Sequence, residues 1–417
     1  MKVIWLCSMI PGPVREKLDG RTGGALWVEH VLSDIRQREN TTLRLLCPGQ
    51  EGSGQLDQRT SYALFREGKA YVYSSRLEEW FTRELEAFSP DVIHIWGTEY
   101  GHSLAMVNAA KNAGMEKRTV ISIQGLCGIY ARHYCEGLPH WVCRRSSFRD
   151  FLRQDNVLRQ QHKFELRGKL ERVALERTCH VIGRTDWDRA ITQQYNPNVV
   201  YHFCNETLRQ CFYQGIWRYH DCKKHRIFIS SCLYPLKGFH YLLEAFETVL
   251  TEFPDATICV PGQSIFPANL EQWIRQEYYC GYMERFCRER GLTDKITFLG
   301  TLSAEQMKAA FLEANVFVMP STIENSPNSL GEAMLLGVPC VAADVGGVSN
   351  LLHPGEGYVY QSTAPYMLAY YIMEVFRQQD KAEQMGRRAS SHARQTHDPE
   401  KNMEALLSTY REIAGKE

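Results

Sequence analysis

Two glutamates eight positions apart, Glu324 and Glu332, stand on either side of the predicted start of a helix. The apolar run before them has the length of a buried parallel strand. Ser326 is the predicted N-cap of the helix, and Pro327 is its predicted first residue, where a missing N–H costs nothing. Gly337 is the predicted end of the helix. The pattern therefore predicts a strand, a tight loop that carries Glu324, and a helix that carries Glu332.

This arrangement suits the binding of a sugar nucleotide. The start of a helix offers N–H groups without intrahelical partners and the positive end of the helix dipole, and both favour a diphosphate. Glu324 could accept hydrogen bonds from sugar hydroxyls on one side of the phosphates. Glu332, about 9 Å further along the axis, could accept from ribose hydroxyls on the other side, because a carboxylate offers about four lone-pair sites. Two surface glutamates around a helix start are the alternative.

The segment resembles the E-x7-E signature of retaining glycosyltransferases of family 4, enzymes with the two-domain GT-B fold. The likeness continues through 337–342 and the glycine turn 344–347, and it returns at Lys237-Gly238 and at Gly23-Gly24. It extends over nearly the whole chain and is most specific over about 230–350. In detail the chain is similar to bacterial enzymes that build exopolysaccharide, capsule or other cell-surface glycans.

Strand-like apolar runs and amphipathic stretches alternate along all 417 residues, which predicts an α/β protein with helices on both faces of parallel sheets. A polar segment without periodicity near 203–226 marks a domain boundary. We expect a Rossmann-like acceptor-binding domain over 1–203 and a Rossmann-like nucleotide-sugar-binding domain over 204–397. The resemblance implies a GT-B fold, with two sheets facing across a cleft. It also implies a final helix, about 398–417, that returns to the N-terminal domain.

The donor-binding residues follow from the resemblance. A lysine at a strand-to-helix turn can carry its charge to phosphates, and Glu324 and Lys237 take the catalytic roles. Many relatives have an arginine five residues before this lysine, where this chain has Cys232. Arg184 or another residue would then supply the second positive charge. The remaining expected donor contacts are Glu332, Asn325, Ser326, Asn328, Ser329, Leu330, Gly23 and Gly24.

The expected acceptor contacts lie in the N-terminal half. Ligands of open parallel sheets bind beyond the carboxyl ends of strands, which places Trp96 and Glu99 at the site. Gln124 follows the next strand, where many relatives have a histidine. His133 is the candidate substitute for that histidine.

No metal site is expected. Asp186-Trp187-Asp188 matches the D-x-D pattern of a different glycosyltransferase fold, but with Thr185 it also fits a helix capping box, which we favour. The 14 cysteines contain no C-x-x-C pair and no zinc-like spacing. We expect no metal and no cofactor other than the donor substrate.

Charge and hydropathy indicate the partners. Lys plus Arg and Asp plus Glu both number 48, so a nucleic-acid partner is not expected. Residues 142–177 carry ten basic and five acidic residues, with apolar residues at helical spacing. Such a stretch could lie on an anionic membrane, or its helices could simply pack on the domain. Without a secretory signal or a spanning run, we expect a cytoplasmic protein with peripheral contact at the inner face of the membrane. The apolar positions of the stretch are Phe148, Phe151, Leu152, Leu166, Leu170, Val173 and Ala174.

The predicted function is transfer of a sugar, with retention, from a nucleoside-diphosphate sugar to a hydroxyl of a glycan or lipid-linked glycan. The resemblance favours a UDP-sugar and a role in cell-surface polysaccharide biosynthesis. Two alternatives stay open. One is a catalytically inactive sugar-nucleotide-binding scaffold of a glycan assembly complex, which Cys232 and Gln124 would fit. The other is a different GT-B enzyme, such as an epimerase.

Overall fold

The computed structural model describes residues 1–20, 26–38 and 40–415. They form two compact units. The first contains Met1–Ala131, Lys163–Arg209 and His397–Glu417, and the second contains Arg132–His162 and Gln210–Thr396. The sequence had assigned 132–162 to the N-terminal domain, whereas these residues pack with the second unit.

The first unit is built on a sheet of eight strands within the described residues, in the order β3-β4-β2-β1-β5-β6-β7-β8. All neighbouring pairs of this sheet are parallel except β3 with β4. The strands are β1 Lys2–Leu6, β2 Thr42–Pro48, β3 Gly52–Gln55, β4 Thr60–Phe65, β5 Val92–Trp96, β6 Thr119–Ser122, β7 His180–Gly183 and β8 Val200–Phe203.

The second unit is built on a parallel sheet of six described strands, in the order β11-β10-β9-β12-β13-β14. The strands are β9 Arg226–Phe228, β10 Thr257–Val260, β11 Ile296–Phe298, β12 Val316–Met319, β13 Cys340–Ala343 and β14 Tyr358–Tyr360. Strand β12 is buried along its whole length, as expected for a parallel strand covered on both faces.

The helices in the described parts of the chain alternate with these strands, which is the pattern that crossover connections between parallel strands require. They are α1 Gly12–Asp19, α2 Leu26–Gln37, α3 Ser75–Phe88, α4 Gly101–Asn112, α5 Cys127–His133, α6 His140–Arg144, α7 Phe148–Arg153, α8 Val157–Arg177, α9 Asp186–Tyr195, α10 Phe239–Glu252, α11 Leu270–Arg275, α12 Tyr278–Glu289, α13 Ala304–Glu313, α14 Asn328–Leu336, α15 Pro365–Arg377, α16 Gln379–Thr396 and α17 Pro399–Ala414.

The final helix, α17, belongs to the first unit, as predicted. Its Tyr410 is fully buried against the sheet. The Trp5 indole N–H donates to the Tyr410 hydroxyl at 2.9 Å, and the hydroxyl lies 2.5 Å from Nδ1 of His94. These hydrogen bonds join α17 to β1 and β5.

Each sheet has one point where the strand order reverses. In the first sheet β1 lies between β2 and β5, and in the second sheet β9 lies between β10 and β12. Ligands of open α/β sheets bind beyond the carboxyl ends of the strands at such a point. The loops after β5, β9 and β12 are therefore the places to look for a site.

None of the helices in the described residues combines the length and the apolar character needed to cross a bilayer.

Candidate active site

Lys237 and Glu324 meet at the reversal point of the second sheet. Lys237 lies in the turn after β9, and Glu324 lies in the loop after β12. The Lys237 ammonium is 2.5 Å from Oε1 of Glu324, and the Ser321 hydroxyl donates to the same oxygen at 2.8 Å. Burial alone would lower the pKa of Lys237, but the Glu324 carboxylate beside it outweighs this effect and raises the pKa above its ordinary value. The lysine is therefore charged at every physiological pH.

Two glycines allow these loops to approach each other. Gly238 has a left-handed backbone (φ 64°), and a Cβ there would overlap the carbonyl oxygen of Pro320. Gly346, also left-handed (φ 55°), would place a Cβ on the carbonyl oxygen of Glu324. That carbonyl accepts a hydrogen bond from the Gly347 N–H at 3.1 Å. Only glycine combines these backbone angles with such close packing.

Helix α14 begins one residue later than the sequence predicted. Its N-cap is Pro327, not Ser326, and Asn328 is the first helical residue. The cap makes no side-chain hydrogen bond, so the serine does not serve as the cap. The first helical bonds run from the N–H groups of Leu330 and Gly331 to the Pro327 carbonyl. The helix ends at Gly337, which is left-handed (φ 77°), as predicted.

Glu332 lies within α14 and is 4% exposed, and Glu324 is 8% exposed. Counted from the observed cap, Glu332 is five residues along the helix, or about 7.5 Å along its axis. Glu332 thus lies one residue closer to the helix cap than predicted, and Glu324 lies in the loop before the helix, as predicted. Around that start, Asn325 and Leu330 are buried, while Ser326, Asn328 and Ser329 are partly exposed.

His133 lies beside the same loop. Its carbonyl accepts a hydrogen bond from the Thr322 hydroxyl at 3.2 Å, two residues before Glu324. Its ring nitrogen Nδ1 is 2.6 Å from the Glu136 carboxylate. The histidine is therefore part of the second unit, next to the loop that carries Glu324, and not part of the first unit as the sequence had implied.

Trp96 and Glu99 lie at the reversal point of the first sheet. Trp96 is the last residue of β5, and its ring stacks on His94 with centroids 4.1 Å apart. Gly97 lies against the Glu99 carboxylate, and its φ of 99° is a backbone angle that residues with a side chain rarely adopt. Burial raises the pKa of Glu99, while neighbouring N–H groups and the Arg167 guanidinium limit the rise.

Gln124 and Arg184 contact each other at the ends of β6 and β7. The Arg184 guanidinium donates to Oε1 of Gln124 at 3.2 Å and forms an ion pair with Glu206. Arg184 is 7% exposed. The structure thus places Arg184 in the first unit, with its charge countered by Glu206. Among the described residues, the buried atoms Nε of Arg184, Nε2 of Gln124 and Nε1 of Trp96 have no hydrogen-bond partner.

The Asp186-Trp187-Asp188 segment is a helix start. The Thr185 hydroxyl accepts from the Asp188 N–H, and the Asp188 carboxylate accepts from the Thr185 N–H, which is the predicted capping box. The Tyr201 hydroxyl and the Arg184 N–H also donate to the Asp188 carboxylate, at 2.5 and 3.1 Å. Both oxygens of the Asp188 carboxylate thus accept hydrogen bonds that stabilise the helix start.

Gly23 and Gly24 lie outside the described residues. Cys232 is buried, and burial raises its pKa to about 12. The thiol therefore stays neutral and adds no charge to a phosphate site.

One group of side chains in the described residues has the composition of a metal site: His353, Glu356 and His392, whose ligand atoms lie within 4.8 Å of one another. The two imidazole rings are stacked, with centroids 4.3 Å apart, and Nδ1 of His392 is 2.9 Å from Glu356. A metal lies in the plane of each imidazole that binds it, whereas stacked rings direct their lone pairs side by side. The arrangement suits a hydrogen-bonded pair, and we assign no metal to it.

Several residues of the two sites were not predicted. Ser321 supports Glu324, and Glu206 pairs with Arg184. Glu171, whose pKa burial raises to about 7, accepts hydrogen bonds from the N–H groups of Cys127 and Gly128. Ser321 could have been suggested by its place two residues after the end of β12. No local sequence pattern predicts Glu206 or Glu171, since each contacts residues that are distant in the sequence.

Comparison with known protein families gives a match that lies within the second unit. Residues 220–392 match the family described as Glycosyl transferases group 1, which is less than half of the chain. Spore coat protein SA of Bacillus subtilis is 25% identical over 192 residues, covering 45% of this chain and 48% of the relative. A D-inositol 3-phosphate glycosyltransferase of Paenarthrobacter aurescens is 30% identical over 131 residues, covering 31% and 32%. The chain thus aligns with about half or less of the length of these relatives.

Solved structures match nearly the whole chain. Sucrose-phosphate synthase from Thermosynechococcus elongatus aligns with a TM-score of 0.71, 15% identity and coverage of 99% of both chains. HepE of Anabaena, solved in complex with UDP and glucose, aligns with a TM-score of 0.66, 18% identity and coverage of 98% and 99%. At such identities the likeness concerns the fold. The chain therefore has the GT-B fold, and its second unit carries the segment that matches the glycosyl transferases group 1 family.

Proposed function

We propose that this protein is a retaining glycosyltransferase that moves a sugar from a UDP-sugar to a hydroxyl of a glycan or lipid-linked glycan in the biosynthesis of cell-surface polysaccharide. The observation that carries the proposal is the Lys237–Glu324 pair at the reversal point of the second sheet, next to the start of α14. The group 1 match over the same residues supports it, as do the UDP and UDP-glucose complexes of the neighbour HepE.

The donor diphosphate binds at the N-terminal end of α14, where the first N–H groups have no intrahelical partners. Lys237 turns from Glu324 to the phosphate and stabilises the charge that develops on the leaving UDP. Such fixed positive groups are commonly the largest single contribution to catalysis. Glu324, once released from the lysine, accepts hydrogen bonds from the donor sugar, and Glu332 accepts them from the ribose hydroxyls.

The acceptor hydroxyl attacks the anomeric carbon as the bond to the UDP oxygen breaks. A phosphate oxygen of the departing UDP takes the hydroxyl proton, and attack on the face that the leaving group vacates retains the configuration. No protein nucleophile is assigned. In this proposal the acceptor is contacted by Trp96, Glu99, Gln124 and His133. Arg184 contributes through the hydrogen-bond donors of its guanidinium at the first sheet.

The reaction uses no metal and no cofactor beyond the donor. Lysine and helix N–H groups supply the positive field that a divalent cation supplies in other transferases. Treatment with a chelator should leave the turnover of UDP-sugar unchanged. Loss of turnover that Mn²⁺ or Mg²⁺ restores would contradict this part of the proposal.

A screen of nucleotide sugars by thermal shift tests the proposed function, because a ligand of the folded state raises the midpoint of unfolding. We expect stabilisation by UDP and by one UDP-sugar, and slow release of UDP from that sugar without an acceptor. The Glu332→Ala variant is the control for site-specific binding. Stabilisation without any UDP release, even with glycan acceptors, would favour a binding scaffold. No stabilisation by any nucleotide would exclude both functions.

A further inference from the structure

The second unit carries a cluster of exposed apolar side chains on two neighbouring helices, α7 and α11. Five of them, Phe148, Phe151, Leu152, Leu270 and Trp273, leave between 58% and 70% of their surface exposed. Scattered single apolar residues are normal on a protein surface, but a contiguous group of this size indicates an interaction site. We call these five residues the α7/α11 patch.

The two helices are held next to each other. They are in direct contact, and α7 is fixed to the segment that follows α11. The Arg149 guanidinium on α7 pairs with the Glu277 carboxylate at 2.8 Å, and the Asp150 carboxylate accepts from the Tyr278 N–H at 2.8 Å. Arg149 and Asp150 therefore face the unit, while Phe148 and Phe151 face outward.

The charges around the patch are mostly positive. Arg144, at the end of α6, and Arg153, at the end of α7, are exposed, and no carboxylate in the described chain pairs with either of them. Arg275 on α11 is exposed as well, and it pairs with Glu271, the only acidic residue of that helix. Unpaired surface arginines beside exposed Phe, Leu and Trp are the composition of surfaces that lie on anionic membranes.

The two apolar sets of the basic stretch 142–177 lie in different environments. Its second apolar set does not face solvent, because Leu170 and Val173 pack against the core of the first unit and Ala174 is fully buried. Among the large apolar residues of the stretch, only those of α7 are exposed, and α11, far away in the sequence, completes the surface.

We infer that the α7/α11 patch docks the protein on a bilayer that contains anionic phospholipid, with the aromatic residues at the acyl boundary and the arginines at the headgroups. The inference deepens the proposed function, because it would bring the enzyme to a lipid-linked acceptor, and it rests on that proposal for its role. The binding itself is independent of catalysis and is tested separately.

Vesicle flotation of the full chain is the test, with phosphatidylcholine alone or mixed with phosphatidylglycerol. The wild type should bind only the mixed vesicles, and salt should weaken the binding. Each arginine near the surface contributes about fivefold in affinity, so Arg144→Ala with Arg153→Ala should cost about 30-fold. Phe151→Ser with Trp273→Ser should cost about tenfold or more. Tyr366→Ser removes an equally exposed aromatic outside the patch and should bind like the wild type.

Release of UDP from the donor in vesicle-free solution separates the two proposals. The patch variants should keep this activity, since none of the altered residues contacts the site. Wild-type protein that floats with neither vesicle, or patch variants that bind like the wild type, would overturn the inference and leave the proposed activity standing. A concentration-dependent dimer that the Phe151→Ser and Trp273→Ser changes dissolve would overturn it too, because the patch would then be an interface between two copies.

Discussion

At the scale of single residues, the proposed chemistry depends on how Lys237 is held. Its ammonium lies 2.5 Å from Glu324 and also 5.7 Å from the ring centroid of Tyr234. Burial would favour the neutral amine, but the carboxylate keeps the charge. In the proposed reaction the lysine therefore starts with its charge already present, and it only has to turn from Glu324 to the phosphate.

Replacement of Lys237 tests that contribution directly. For Lys237→Ala we expect a loss of about 3 kcal/mol of transition-state stabilisation, or about 10²-fold in kcat/KM for the donor. The control is Lys223→Ala, because Lys223 is also ion-paired in the second unit but lies on the surface with Glu313. Steady-state kinetics of both variants give the answer. A Lys237→Ala enzyme as active as the control would move the phosphate role to another residue.

The two glutamates should differ in what they bind. Glu332→Ala should weaken the binding of free UDP, because the ribose loses its carboxylate partner. Glu324→Ala should leave UDP binding nearly unchanged and mainly lower turnover of the intact donor. Isothermal titration with UDP, together with kinetics on the UDP-sugar, separates these effects. If both variants lost UDP affinity equally, the assignment of ribose to one side and sugar to the other would be wrong.

At the scale of elements, the turn after β9 is a test of loop packing. Gly238→Ala combines a left-handed backbone with overlap on the Pro320 carbonyl. Gly291 is the matched control, since its φ of 65° is nearly the same as the 64° of Gly238 but open space surrounds it. Gly291→Ala should cost about 1 to 2 kcal/mol of the free energy of unfolding, the ordinary cost of this conformation.

We expect Gly238→Ala to cost more than that control and also to weaken donor binding, because the loop that carries Glu324 must move. Urea unfolding measures the first effect, and UDP-sugar titration measures the second. Equal unfolding free energies of the two variants would mean that the loops can separate without consequence.

The docking of α17 on the first sheet should depend on one hydroxyl. Tyr410→Phe would leave the Trp5 indole N–H and a His94 ring nitrogen without their partner in a fully buried setting. An unsatisfied buried group costs about 1 to 3 kcal/mol, so unfolding of the first unit should become easier by at least that amount. Tyr366→Phe, at an exposed position, should change nothing. Tryptophan fluorescence during urea unfolding reports both variants.

At the scale of the whole molecule, buried histidines should make stability depend on pH. Burial lowers the pKa of His94 to about 3 and that of His240 to about 4, from an ordinary value of 6.5. Below pH 6.5 the unfolded chain binds protons at these two histidines, whereas the folded chain keeps their imidazoles largely neutral. The free energy of unfolding should therefore fall as the pH drops from 6.5 towards 4, by about 1.4 kcal/mol per pH unit for each histidine.

Urea unfolding at several pH values in that window checks the slope for the wild type and for His94→Gln. The groups around His94 are the hydroxyls of Tyr410 and Ser122 and the rings of Trp5 and Trp96, none of which is charged near neutral pH. The slope of the unfolding free energy against pH should therefore fall in the variant by the contribution of about one proton, whatever the stability of the variant. An unchanged slope would show that other groups determine the acid sensitivity.

The sequence by itself determined the features that local chemistry controls. The apolar runs Val92–Trp96 and Val316–Met319 predict strands, because a short continuous apolar run between turn signals has few other uses. The structure has strands with the same bounds. The capping box at Thr185 was predicted as well, since both of its partners lie within one helical turn. The spacing of Glu324 and Glu332 fixed them around one helix start before any contact was known.

Only the tertiary structure decided the features that join distant parts of the chain. The strands Gly52–Gln55 and Thr60–Phe65 were missed, the first because a glycine-rich edge strand has no apolar pattern. The start of α14 was misplaced by one residue because propensity favours serine as the cap and proline as the first helical residue, whereas Pro327 is the observed cap. The ion pairs of Lys237 with Glu324 and of Arg184 with Glu206 bridge separate loops. The order of strands in each sheet brings those loops together, and no local pattern in the sequence encodes that order.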